Sequence, residues 1–257
     1  MVPITKVLRM CDGDMPVMGK VYDRMYMLGN KVRDIGVDWA DEAADLVEER
    51  WEYLHSFMHG AGYAFDPEFF DHRQSWDEAI TNGVMEMIER ICLRDMMLQA
   101  DDPASARKEL TTDSAVVVER VAACERELSL FVKGLGPFTK QKVLMNAKLM
   151  EPADWWNQYC KHLPILSRVA TSVLAQVVCA SSAERNWSIY GRIKHKGRST
   201  IGHSKGDKLV YCHEAIHLRN KLGKAAYKPA MEKWDSDSDD NSDADEEEKD
   251  LIAGLCC

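Results

Sequence analysis

Pro164-Ile-Leu-Ser-Arg-Val-Ala-Thr-Ser-Val-Leu-Ala-Gln-Val177 decides the fold class. Leu166, Val169, Val173, Leu174 and Val177 recur three or four residues apart, which gathers them on one face of an α-helix. The β-branched valines are stiff at χ1, a modest handicap in a helix. Downstream, helices are expected over roughly 182–195 and 206–222, separated by Gly197 and Gly202.

The same period runs upstream. Asp14 and Pro16 read as an N-cap and an early helical position, followed by Val17, Val21, Met25, Leu28 and Val32. A second apolar run behind Asp38 passes through Ala43, Val47, Trp51, Leu54 and Met58, and Gly60, Gly62 and Pro67 break it. Ser75 and Glu78 have capping-box spacing ahead of Ile80, Val84, Met87, Ile91 and Leu98. Asp102-Pro103 marks a loop. Val117, Val121, Cys124, Leu128 and Phe131 predict a helix over about 113–132, ended by Gly134, Gly136 and Pro137. Nowhere does a period of two persist, and no internal repeat is found, so the chain is expected to be mainly α.

Composition bounds the class. With 257 residues, 46% hydrophobic and 29% charged, the chain has the profile of a soluble globular protein. Its longest uncharged apolar stretch, Val169 to Ala183, has 15 residues, short of the roughly 20 that span a bilayer. No membrane association is expected, and the N-terminus lacks the pattern of a secretory signal. Eight cysteines, at 11, 92, 124, 160, 179, 212, 256 and 257, include no C-x-x-C pair. That scatter fits reduced thiols rather than a disulfide framework or zinc knuckle.

The net charge of −9 resolves into parts. Asp235 to Asp250 holds ten acids and one Lys, a local −9, and reads as a solvated acidic tail. Arg185 to Lys208 holds seven Lys or Arg against Asp207, a local +6. Lys194, Lys196, Lys205 and Lys208 are read as a solvated face before they are read as a nucleic-acid groove.

Three segments, in order, resemble plant-type proteins of the hAT transposase superfamily. The first is Leu8-Arg-Met-Cys-Asp-Gly-Asp-Met-Pro-Val-Met-Gly19-Lys-Val-Tyr22. The second is Trp51 with His59-Gly-Ala-Gly-Tyr63-Ala-Phe-Asp-Pro67-Glu-Phe69. The third and most specific begins with Trp155-Trp156 and Pro164-Ile-Leu166-Ser-Arg-Val-Ala170. It continues with Ser181-Ser-Ala-Glu-Arg-Asn-Trp-Ser188, Lys196-Gly-Arg198, Leu209-Val-Tyr and His217-Leu218, and is similar to the family's C-terminal dimerisation signature.

The resemblance implies a ribonuclease-H-like core interrupted by a helical insertion. Two Asp and one Glu of that core hold divalent metal for strand cleavage and transfer, since hard cations take clustered oxygen ligands. The Glu position falls at Glu184. Both Asp positions are expected upstream of Met1, and Asp12 and Asp14 do not replace them. The family's zinc-finger module is likewise expected to be missing. Glu184 also completes a capping box with Ser181, the structural reading of the same residue. Arg185 and Arg198 suit phosphate contacts or, equally, internal salt bridges.

The resemblance further implies a dimer contact drawn from Leu166, Val173, Trp187, Tyr190, Leu209, Ile216 and Leu218. Apolar and aromatic residues of this kind anchor interfaces, although an ordinary intrachain core predicts the same pattern. The expected organisation is a helical hAT-type insertion over 1–150, a dimerisation region over 151–228 and a disordered acidic tail over 229–257. In fold terms, an insertion domain is followed by the C-terminal helices of an incomplete ribonuclease-H-like core. The expected function is dimerisation, as a homodimer or with other hAT-type proteins, with weak DNA association, in the nucleus, without catalysis and without a cofactor or metal. An alternative is that the chain is a fragment of an active DNA transposase.

A competing motif is His213-Glu-Ala-Ile-His217. H-E-x-x-H sets two imidazoles on one helical face with Glu214 as general base, the pattern of a zinc metallopeptidase. No third ligand is evident beyond Glu232 near the acidic tail, and the same residues fall within the family helix. Ser236 and Ser242 each have an acid three residues on, a context for acidophilic kinases. Cys256-Cys257 has the form of a prenylation end, but small-GTPase features are lacking and a chance pair is the preferred reading.

Overall fold

A computed structural model describes residues 2–13, 16–193 and 202–222, and among these no strand occurs. The helices are α1 (Val2–Asp12), α2 (Met18–Arg33), α3 (Ala40–Leu54), α4 (Phe57–Phe65), α5 (Glu78–Gln99) and α6 (Pro103–Glu109). They continue as α7 (Ala115–Val132), α8 (Gln141–Ala147), α9 (Pro152–Tyr159), α10 (Pro164–Leu174), α11 (Ser181–Ile193) and α12 (His203–Leu222). Short 3-10 helices occupy Pro67–His72 and Gly136–Thr139. The chain divides into two compact units, Met1–Arg185 and Asn186–Cys257. No helix among the described residues is long and apolar enough to cross a membrane.

In the first unit, α4 lies against both α2 and α5, and small residues set how closely. A Cβ on Gly60 would sit 2.9 Å from the Ala79 carbonyl oxygen, and one on Gly62 would sit 2.9 Å from that of Met18. From the facing helix, a Cβ on Gly83 would meet the Phe57 carbonyl oxygen at 2.6 Å. The sequence pattern predicts a helix end at Gly60 and Gly62. Instead both lie inside α4, because the close approach of neighbouring backbones outweighs glycine's helix penalty of about 1 kcal/mol.

The actual break comes earlier, at His55, whose extended backbone separates α3 from α4. It is held by a capping box. The Ser56 side chain serves the first turn of α4, and His59 Nδ1 accepts from the Ser56 N–H at 3.1 Å. Only a neutral imidazole nitrogen can accept that bond. Burial, and then the neighbouring His55, push the His59 imidazole down to about 4. Because the folded value lies below the unfolded one, its stabilising contribution is intact above about pH 6.5 and is lost as the pH falls toward 4. Accordingly, the thermal midpoint should drop between pH 6.5 and 4.5, and drop less in His59→Gln, which keeps the S-x-x-Q cap without a titrating ring. Equal slopes in melting curves of the two proteins would refute this role for His59.

The centre of the first unit is aromatic. Phe65, Phe70, Phe131, Phe138, Trp155 and Trp156 are buried in one cluster with Ile88, Leu163, Leu166 and Val173. Phe131 and Trp156 ring centroids are 4.9 Å apart, and Phe65 meets Trp156 edge-on at 6.0 Å. Each tryptophan also satisfies its indole N–H, Trp155 donating to the Val143 carbonyl at 2.9 Å and Trp156 to the Phe65 carbonyl at 2.7 Å. Polar ties reinforce the packing of α10. Asp95 on α5 accepts from Arg168 Nε at 2.9 Å and from Arg94 Nη2 at 3.1 Å, while Glu127 on α7 accepts the Leu166 backbone N–H at 2.8 Å. Burial opposes the Asp95 charge, but the hydrogen bonds from Arg168 and Arg94 outweigh it and hold the carboxyl below its usual range.

This packing bears on two expectations. A division at residue 150 is not where compactness separates the chain, since α9 and α10 share one core with α2, α4, α5 and α7. Leu166 and Val173, expected at a dimer contact, are 0% exposed and belong to that core. A second chain cannot touch them while the unit stays closed.

Helix ends differ in detail. α1 precedes everything the periodicity predicts, and Val17, which gives no side-chain cap, stands at the N-cap of α2. Asp14 lies outside the described residues. Asp77, rather than Ser75, caps α5 by accepting from the Ile80 N–H at 2.8 Å. α7 matches expectation closely, and its end is set by Gly134 at φ +64°, where the Leu135 N–H reaches back to the Leu130 carbonyl.

Candidate dimerisation surface

α11 and α12 carry most of the expected contact residues. On α11 the residues Glu184, Trp187, Ser188 and Gly191 are exposed at helical spacings of three and four, so they form one open face. Trp187 stands in the middle of it, 73% exposed, bordered by the small Ser188 and by Gly191, beside which a Cβ would find open space. Ile189 is buried on the other side, and Tyr190, one turn on from Trp187, is half-buried. The Trp187 and Tyr190 rings meet edge-on with centroids 5.7 Å apart, which steadies the exposed indole. Tyr190 Oη also lies 3.3 Å from His203 Nδ1 at the start of α12.

On α12, Leu209 and Ile216 are 48% and 52% exposed, with the exposed Cys212 between them on the same face. Tyr211, 75% exposed, belongs to the Leu209-Val-Tyr segment of the resemblance but is not among the expected contact residues, since a single tyrosine off the apolar stripe gives no periodic signal. Leu218 lies on α12, but its side chain is outside those described. Leaving this much apolar surface in water is unfavourable by roughly 25 cal/mol per Å² relative to burying it, so burial against another surface is favoured.

Other expected residues fall differently. Glu184 is exposed in the first turn of α11, where a carboxylate complements the helix dipole. The Ser181 side chain of the expected capping box and the Arg185 side chain are outside those described, and so are Lys194, Lys196 and Arg198. Lys205 and Lys208 are exposed on α12. His213 and His217 sit one turn apart and half-buried, and His213 Nδ1 is buried with no hydrogen-bond partner among the described residues. Among the described residues no group of three or more His, Cys, Asp or Glu is placed to hold a metal ion. Glu232, Ser236, Ser242 and the terminal cysteines lie outside the described residues.

Comparison with known families bears directly on this surface. Residues 135–216 match the hAT family C-terminal dimerisation region. The match begins just after α7, takes in α8 to α11, and ends at Ile216 within α12. It thereby includes the buried Trp155-Trp156 pair as well as the exposed Trp187, Leu209 and Tyr211. No curated protein and no solved structure matched the chain.

Proposed function

We propose that this chain is a self-associating module of hAT transposase type, whose contact is made by Trp187 of α11 and by Leu209, Cys212 and Ile216 of α12. The observation that carries the proposal is the exposure of Trp187 within residues that match a dimerisation region. A tryptophan left in water has much apolar area to bury and is the residue type most favoured at interface centres. Two copies related by a two-fold axis would each present the same patch, the commonest symmetry of soluble oligomers. The residues before 135 fit the hAT-type helical insertion expected from Leu8–Tyr22 and His59–Phe69. Sedimentation of the full chain across a range of concentrations tests self-association. A mass of twice 29.2 kDa that falls on dilution is expected, whereas a single monomeric species throughout would remove the proposal.

Nuclear location and weak DNA association belong to the same proposal, the latter through Lys205, Lys208, Arg185 and Arg198. Strand cleavage does not, because one carboxylate position, Glu184, cannot hold two metal ions by itself. Binding to duplex DNA should therefore weaken steeply with salt and show no manganese-dependent cutting. Cutting that disappears in Glu184→Ala would instead identify a working nuclease.

A further inference from the structure

Cys11 lies in the last turn of α1 and Cys179 in the short link between α10 and α11, yet the two meet in the first unit across 168 positions of sequence. The Cys179 Sγ is 2.7 Å from the Cys11 carbonyl oxygen and 3.9 Å from Asp12 Oδ1. Standard bond lengths then place that sulfur within about 5.5 Å of the Cys11 Cα, close enough for side-chain rotation to bring the sulfurs together. Both residues are partly exposed. Cys92 and Cys124 also stand side by side, between α5 and α7, but at 2% and 0% exposure they are sealed from solutes.

We propose that Cys11 and Cys179 form a reversible redox site, which closes to a disulfide in the presence of a small-molecule disulfide such as oxidised glutathione. The Cys179 thiolate attacks one glutathione sulfur, forming a mixed disulfide and releasing one glutathione thiolate. The Cys11 thiolate then attacks Cys179 Sγ, breaking the mixed bond and releasing the second. Overall, two protein thiols are oxidised to one disulfide, one glutathione disulfide is reduced, and the two thiol protons end on two glutathione molecules. The second step is the slow one at neutral pH. Burial, with Cys179 and Asp12 nearby, pushes the Cys11 thiol up to about 11, so little of it is thiolate. Closure should accordingly accelerate as the pH rises from 7 toward 9.

The bridge would tie the end of α1 to the segment entering α11 and enclose nearly the whole first unit in one loop. Long loops gain most from such closure in the chain-entropy description. A rise of about 5–10 °C in thermal midpoint is therefore expected on oxidation. None of this depends on self-association.

The test uses the full chain, reduced and then exchanged into oxidised glutathione at several pH values, followed by peptide mapping without reduction. Expected is a cross-linked peptide joining Cys11 to Cys179, reversed by dithiothreitol, forming faster at higher pH and absent in both Cys11→Ser and Cys179→Ser. The wild-type protein alone decides the matter should either variant fold poorly. A stable glutathione adduct on Cys179 with no internal bridge, a bridge confined to Cys92 and Cys124 or to the exposed Cys212 of two copies, or no oxidation at all would each overturn the proposal.

Discussion

Gly83→Val should destabilise the protein by about 3 kcal/mol or more. The Cβ alone would lie 2.6 Å from the Phe57 carbonyl oxygen and 3.0 Å from the Ala61 nitrogen, both backbone atoms of α4. A flexible side chain facing the new carbon could rotate aside, whereas a helix backbone can move only as a body. Moving α4 disturbs Gly60 and Gly62, which meet α5 and α2, and the Phe65 carbonyl that receives the Trp156 indole. Valine's two γ-carbons enlarge the clash. At Gly191, by contrast, a Cβ meets nothing within 4 Å, so Gly191→Ala should leave stability unchanged or raise it slightly. Urea denaturation of the two variants separates the cases. A Gly83→Val midpoint equal to that of the unaltered protein would show that the α4–α5 contact is looser than these distances imply.

The sequence displays helix identity better than it displays what each helix touches. Periodic apolar residues locate α2, α7 and α10 within a few positions, because a 3.6-residue stripe is a local signal. Glycine is ambiguous, ending a helix when it adopts positive φ, as at Gly134, and permitting close packing when it stays helical, as at Gly60, Gly62 and Gly83. Nothing short of the neighbouring backbone distinguishes the two. The break at His55 carries neither glycine nor proline, and its cap uses a histidine where Glu or Gln is usual.

The interface residues show the same limit. Leu166 and Val173 share their stripe with buried neighbours, and periodicity says that a face is covered without saying by which chain. Trp155 and Trp156 are conspicuous within the stretch that matches the hAT dimerisation region, yet their role as hydrogen-bonded anchors of the first unit emerges only from the fold. A division at 150 follows the sequence resemblance, whereas packing follows the aromatic core built from both sides of that position. Trp187, Leu209 and Ile216 remain as exposed residues, and they bear the weight of the functional proposal.

That proposal makes a large quantitative prediction. Interface hot spots contribute about 2 kcal/mol or more each, and tryptophan is prominent among them. Trp187→Ser removes the central aromatic of α11, and Ile216→Asp places a charge where α12 would lose its water. Each should weaken association by about 30-fold or more, and the pair should do so more strongly. Neither residue is a member of the first unit's aromatic core, so its melting behaviour should persist.

Sedimentation equilibrium of the unaltered chain beside the Trp187→Ser, Ile216→Asp double variant is the most direct measurement. A concentration-dependent dimer is expected for the first and a folded monomer for the second at every concentration. A double variant that dimerises as tightly as the unaltered chain would place the contact elsewhere and contradict that expectation.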